Sequence, residues 1–122
     1  RALTGREEVL DPCHLDTLES LHNLAALLMA MGRNREAKPL FERALRGRRD
    51  VLGPGHAKTL QTLNNLGNLL QVQGRYREAE LMHRRALDGR EATLGPAHPD
   101  TLGSLNNLAV LMVTMGRHDE AV

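Results

Sequence analysis

Aromatic side chains are nearly missing from this sequence, with one Phe, one Tyr and no Trp in 122 residues. A core must therefore come from Leu, Ala, Val and Met, a set that favours helices, and the 41% apolar content of a chain of ordinary domain length supplies enough of it. An excess of charge is missing too. Sixteen Lys plus Arg stand against fifteen Asp plus Glu, a formal charge of +1, which gives no global attraction to nucleic acid or to an anionic membrane. The basic run Arg46-Gly47-Arg48-Arg49 has no aromatic stacking residue beside it and reads as a solvated helix face, not a phosphate site. The single cysteine, Cys13, cannot close an internal disulfide, and beside Pro12 and His14 it reads as a loop residue in a reducing compartment. No apolar run approaches membrane-spanning length, and the opening RALTGREEVL is charged and helical in pattern, unlike a signal peptide. A soluble, cytoplasmic protein is the expectation.

What the sequence does have is a period. Thr17-Leu18, Thr59-Leu60 and Thr101-Leu102 stand 42 residues apart with no insertion or deletion between them. The same offset aligns Asn23, Asn65 and Asn107; Gly32-Arg33, Gly74-Arg75 and Gly116-Arg117; Glu36-Ala37, Glu78-Ala79 and Glu120-Ala121. It also aligns Pro12-Cys13-His14, Pro54-Gly55-His56 and Pro96-Ala97-His98. Within one period the apolar spacing is helical twice. Leu60, Leu63, Leu66, Gly67 and Leu70 share one side of a helix ending near Gly74. Ala37, Leu40, Phe41, Ala44, Leu45, Val51 and Leu52 mark a longer helix stopped by Gly53-Pro54. Asn34 is the expected N-cap of that second helix, with Glu36 in its first turn and Pro39 in or just past it. The unit is an antiparallel helix pair, too small to bury its apolar faces alone, so successive pairs must stack into a solenoid.

The pattern Leu63-x-x-Leu66-Gly67-x-x-Leu70, then Ala79 and Ala86, resembles the tetratricopeptide repeat, in which glycine or alanine lets paired helices approach closely. Leu21, Leu24, Ala25, Leu28, Ala37, Phe41 and Ala44 fill those positions one period earlier, and Leu105, Leu108, Ala109, Met112 and Ala121 one period later, while His83 replaces the usual aromatic. The period is longer than the usual one, and LNNLG…GRYREAELMHRRAL with LGPAHPDTL resembles the 42-residue arrays of kinesin light chains. The resemblance implies an all-α, right-handed superhelical solenoid of antiparallel helix pairs. Residues 1–15 would form the end of a preceding second helix and its loop, 16–57 and 58–99 two repeats, and 100–122 a truncated third. The truncated repeat would leave Leu105, Leu108, Ala109 and Met112 facing solvent, a stripe open to self-association.

The resemblance further implies a scaffold that binds peptide segments of a partner protein in the concave groove, through first-helix side chains. Those are Glu19, His22, Asn23 and Ala26; Gln61, Asn64, Asn65, Asn68 and Val72; and Asn106, Asn107, Val110 and Thr114. None is basic apart from His22, which argues against the carboxylate clamp of chaperone-tail-binding members. The residues independently support the groove: Asn65 lies about 200° around its helix from Leu63, away from the stripe packed on the second helix. An amide there can pair with the backbone of an extended peptide, or it can bridge neighbouring helices; the residues leave both open. The competing class is an architectural or self-associating array, such as the sensor arm of a larger signalling ATPase. No enzyme is expected, since nucleophile motifs, phosphate-binding glycine loops and paired carboxylates do not appear. No metal or other cofactor is expected either. His14, His56 and His98 recur one repeat apart, too far to share an ion, and read as residues that help start the next helix; His22, His83 and His118 form no ligand spacing.

Overall fold

The computed structural model describes residues 15–121, which form α1 (Leu15–Ala30), α2 (Asn34–Leu52), α3 (Ala57–Val72), α4 (Tyr76–Leu94) and α5 (Pro99–Ala121). There is no strand among the described residues. Each helix packs chiefly on the helices before and after it in the chain, and α1 also touches α3. Such stacking of each element on its near neighbours defines a solenoid, here built from the pairs α1–α2 and α3–α4 with α5 stacked on α4. The helix end assigned to residues 1–15, with Cys13 and His14, lies outside the described residues except for Leu15.

The turns follow from the glycines. Gly32 and Gly74 take φ of 80° and 79°, a left-handed conformation that a side chain disfavours. At each, the N–H three residues past the first helix (Arg33, Arg75) returns to a carbonyl five residues back (Leu28, Leu70) at 2.8 Å, and the glycine N–H returns to a carbonyl three residues back (Met29, Gln71) at 3.0 Å. This double closure reverses the chain in three residues and starts the second helix at once. Asn34 is not the cap: Arg33 occupies that position, its side chain capping no backbone N–H, and Asn34 is the first residue of α2. The turn leaves no extended residue ahead of Asn34 whose side chain could reach back. Pro39 is the sixth residue of α2, and the helix continues through it unbroken. Between pairs, His56 and His98 cap α3 and α5, their Nδ1 atoms accepting from the N–H of Lys58 at 3.1 Å and of Asp100 at 3.0 Å. The periodic histidines at these positions are helix starters.

Close approach of paired helices is set by glycines that the apolar pattern does not mark. A Cβ on Gly47 would lie 2.3 Å from Leu18 Cδ2, and one on Gly89 would lie 2.4 Å from Leu60 Cδ2. Gly67 fits the close-approach role assigned to it, with its hypothetical Cβ 2.9 Å from the His83 ring. Phe41, Leu18, Leu60, Leu69, Leu70 and Leu111 are fully buried around these contacts.

Three expectations change. Arg48 does not lie on a solvated face: it is only 3% exposed, and Gly47 beside it is buried. Leu108 is buried, so the open stripe of α5 consists of Leu102, Leu105, Met112 and Val113 with Ala109. α5 also runs through Gly116, where the aligned Gly32 and Gly74 each turn the chain. Those two turns are held by a packed second helix, which α5 lacks among the described residues.

His83 stands where the preceding repeat has Phe41, and burial alone pushes its imidazole below the ordinary histidine value. Both ring nitrogens are buried without a hydrogen-bond partner among the described residues. Replacing His83 with phenylalanine should therefore raise stability by about 1–3 kcal/mol, since two desolvated polar atoms vanish and the preceding repeat already buries Phe41 in the same cluster as Ala25, the counterpart of Gly67. Chemical denaturation decides: a variant no more stable than the parent would mean that the ring nitrogens are satisfied in solution.

Candidate functional site

The first helices α1, α3 and α5 are tied together by a polar ladder. Asn65 donates through Nδ2 to His22 Nε2 at 3.3 Å, and one repeat later Asn107 donates to Asn64 Oδ1 at 2.7 Å. His22 and Asn64 are equivalent positions, as are Asn65 and Asn107, so the same link is made twice with different acceptors. Because Asn65 occupies Nε2 as a donor, the proton of neutral His22 sits on Nδ1 and is given to Thr62 Oγ1, 3.1 Å away. Thr62 in turn donates to the Lys58 carbonyl at 3.1 Å. Arg48 completes the cluster, donating from Nη1 to Thr62 Oγ1 at 2.9 Å and to the Lys58 carbonyl at 3.2 Å. Arg90 repeats this clamp on Ser104 Oγ at 2.8 Å and the Asp100 carbonyl at 3.2 Å. A second helix thus fastens the start of the next first helix by one guanidinium each time.

His22 lies in this cluster with its ring edge-on to Phe41, centroids 5.5 Å apart. Burial pushes its imidazole down to about 4; Arg48 acts in the same direction and Glu19 opposes it. Glu19 pairs with Lys58 at 2.9 Å between α1 and α3, and that hydrogen bond holds its carboxyl below the ordinary value.

The sequence-predicted residues divide accordingly. His22 is buried in the cluster, Asn64, Asn65 and Asn107 are half-buried in the ladder, and Glu19 is held by Lys58. Thr114 returns its hydroxyl to the Val110 carbonyl at 3.0 Å. Asn23, Gln61, Asn68 and Asn106 make no hydrogen bond among the described residues; Asn68 is half-buried and the other three are exposed. Val72 and Val110 are exposed beside them and Ala26 is half-buried. Thr62, Arg90 and Ser104 are not marked by the sequence pattern and Arg48 reads there as solvated, although the 42-residue offset relates the two sets. Among the described residues no three His, Cys, Asp or Glu side chains are placed to hold a metal ion, and no helix is long and apolar enough to cross a membrane.

The Asn64–Asn107 link should appear as coupling in a double-mutant cycle. Asn64→Ala and Asn107→Ala together should cost less than the sum of the two single variants, with a coupling energy of about 0.5–1.5 kcal/mol. Strict additivity in denaturation experiments would show that the two amides do not meet.

Repeated antiparallel helix pairs, left-handed glycine turns and a polar link from each first helix to the next define a helical-hairpin repeat solenoid. Three stretches, 1–50, 16–92 and 59–122, match the tetratricopeptide repeat model, and the chain belongs to that family. Two solved structures place the array more closely. A Podosopora anserina kinesin light chain of nearly identical TPR-like repeats superposes with a TM-score of 0.83 at 27% identity, over 97% of this chain and 56% of that one. BtubC (BKLC) from P. vanneervenii superposes with a TM-score of 0.79 at 24% identity, over 86% of this chain and 42% of that one. The first of these shows the array to be of the kinesin light chain type, and the chain spans about half the length of both structures. No curated protein matches the sequence. Tetratricopeptide repeats are in general protein–protein interaction modules.

Proposed function

We propose that the chain is a non-catalytic scaffold that holds an extended segment of a partner protein along α1, α3 and α5, on the inner face of the superhelix. The carrying observation is that Asn23, Gln61, Asn68 and Asn106 bear amides without any hydrogen bond among the described residues, beside a ladder that fixes their helices. A primary amide donates and accepts at once, so a row of them can pair with the backbone of an extended peptide whatever its side chains. The rigid ladder keeps those groups in register before the peptide arrives, which lowers the ordering cost of binding. The inner face is assigned from the direct contact of α1 with α3 and from the bonds that draw the first helices together. The cytoplasm is the compartment in which the partner is to be sought.

The reading is tested by a peptide-library screen on the chain and on a Gln61→Ala, Asn68→Ala, Asn106→Ala variant. The variant should melt at or above the parent temperature, because alanine is the better helix former by up to about 0.7 kcal/mol per site. Its affinity for a selected peptide should fall by about 0.5–1.5 kcal/mol per lost bond. Undiminished binding would refute the assignment.

An architectural array is the second reading. It is favoured by the two asparagine links themselves, which commit Asn64, Asn65 and Asn107 to stacking. On that reading no peptide is selected and Asn65→Ala loosens the array.

A further inference from the structure

On the side of α3 away from Asn64 and Asn68, an open cleft of about 520 Å³ lies among α2, α3 and α4. Its volume falls within the roughly 300–1,000 Å³ of ordinary ligand pockets. The floor is apolar: Leu45 of α2 and Leu63 of α3 line it, both with little exposed surface. Gly89 leaves one wall without a side chain, because the approach of α4 to Leu60 admits none there.

The rim is charged. Arg49 reaches it from α2, Arg85 and Asp88 from α4. Neither arginine forms an ion pair among the described residues, whereas Arg33, Arg75 and Arg84 each meet a glutamate. Two uncommitted guanidiniums against one carboxylate, around an apolar floor at the first turn of α3, complement an anion attached to an aliphatic group. The guanidinium fork takes a carboxylate by two parallel hydrogen bonds, and Asp88 remains to accept a peptide N–H. The repeat period shows that this set is not required by the fold: the counterpart of Arg49 one repeat later is Glu91.

We propose that this cleft is a separate peptide-docking site, which takes a leucine-like side chain flanked by carboxylates. Leucine lies on Leu45 and Leu63, and the flanking carboxylates meet Arg49 and Arg85. The site stands on a different face from the row of amides and does not depend on it.

The test uses three dansylated heptapeptides titrated into the intact chain: Ser-Gly-Glu-Leu-Glu-Gly-Ser, its Gln-Leu-Gln analogue and its Glu-Ser-Glu analogue. The first should bind with an affinity that falls as salt is added, and the other two should bind about fivefold more weakly or worse. Arg49→Glu should weaken the first peptide by a similar factor or more without altering the melt, since the fold already carries glutamate at the equivalent Glu91. Amide resonances of Gly55 and Gly89 should move on titration, while those of Asn64 and Asn106 stay in place. Equal binding of all three peptides, no binding at millimolar concentration, unchanged affinity in Arg49→Glu, or shifts confined to Asn64 and Asn106 would each overturn the proposal. The last outcome would leave the amide row as the peptide site.

Discussion

Replacing Phe41 with alanine is expected to lower stability by about 3–5 kcal/mol, the range for removing a fully buried aromatic ring. Phe41 is the only phenylalanine in the chain and has no exposed surface. It belongs to the cluster that joins Ala25 and Ala37 of one pair to Leu63 and Leu66 of the next, so its loss opens a void that helix axes alone cannot close. It also supports the His22 ring edge-on, and His22 in turn carries Asn65. The damage should therefore reach the contact between pairs as well as the pair itself. Denaturant unfolding measures this directly. A loss below about 1 kcal/mol would show that the ring is not a structural centre.

Acid should unfold the chain over an unusual window. An ordinary histidine titrates near 6.5, whereas burial holds His22 down to about 4 and also lowers His83. Between those values the unfolded chain binds a proton that the folded cluster refuses. Stability is then complete above pH 6.5 and is lost as pH falls toward 4. For His22 the gap corresponds to about 3 kcal/mol, and His83 adds to the same loss. Glu19, with its carboxyl lowered, contributes only below the ordinary carboxylate value, so it does not obscure the upper part of the window. Denaturation at about pH 7.5 and about pH 4.5 should show the loss in the parent chain. His22→Asn places at position 22 the residue that Asn64 provides one repeat later, and combined with His83→Phe it should flatten the profile. An equal acid loss in that double variant would remove the two histidines from the explanation.

The helix pairs were legible because Gly32, Gly74 and Gly53-Pro54 punctuate an uninterrupted 42-residue period, and because leucine and alanine mark the paired faces at helical spacing. The asparagines were half legible. Rotation about α3 correctly turns Asn65 away from α4, but a helix in a stack has two further neighbours, and the side opposite its own partner meets α1 instead of solvent. Periodicity within one helix carries no information about that second contact. Arg48 was misread for a related reason: a run of three arginines looks solvated as a composition, while its single buried member is selected by Thr62 on another helix. The glycines Gly47 and Gly89 were hidden because an absent side chain contributes nothing to an apolar stripe, although it decides how near Leu18 and Leu60 can come.

The links between first helices have a consequence for how such a gene can change. Each joins one position of a unit to a fixed position of the following unit: His22 to Asn65, then Asn64 to Asn107. The acceptor differs, yet the asparagine that answers it is the same. Unequal recombination that copies or deletes one 42-residue unit in frame therefore leaves every asparagine opposite an acceptor it can use, and every Arg48-type guanidinium opposite a hydroxyl. The array can lengthen or shorten by whole units without orphaning a buried polar group, while a duplication of any other length would break the link that spans its junction.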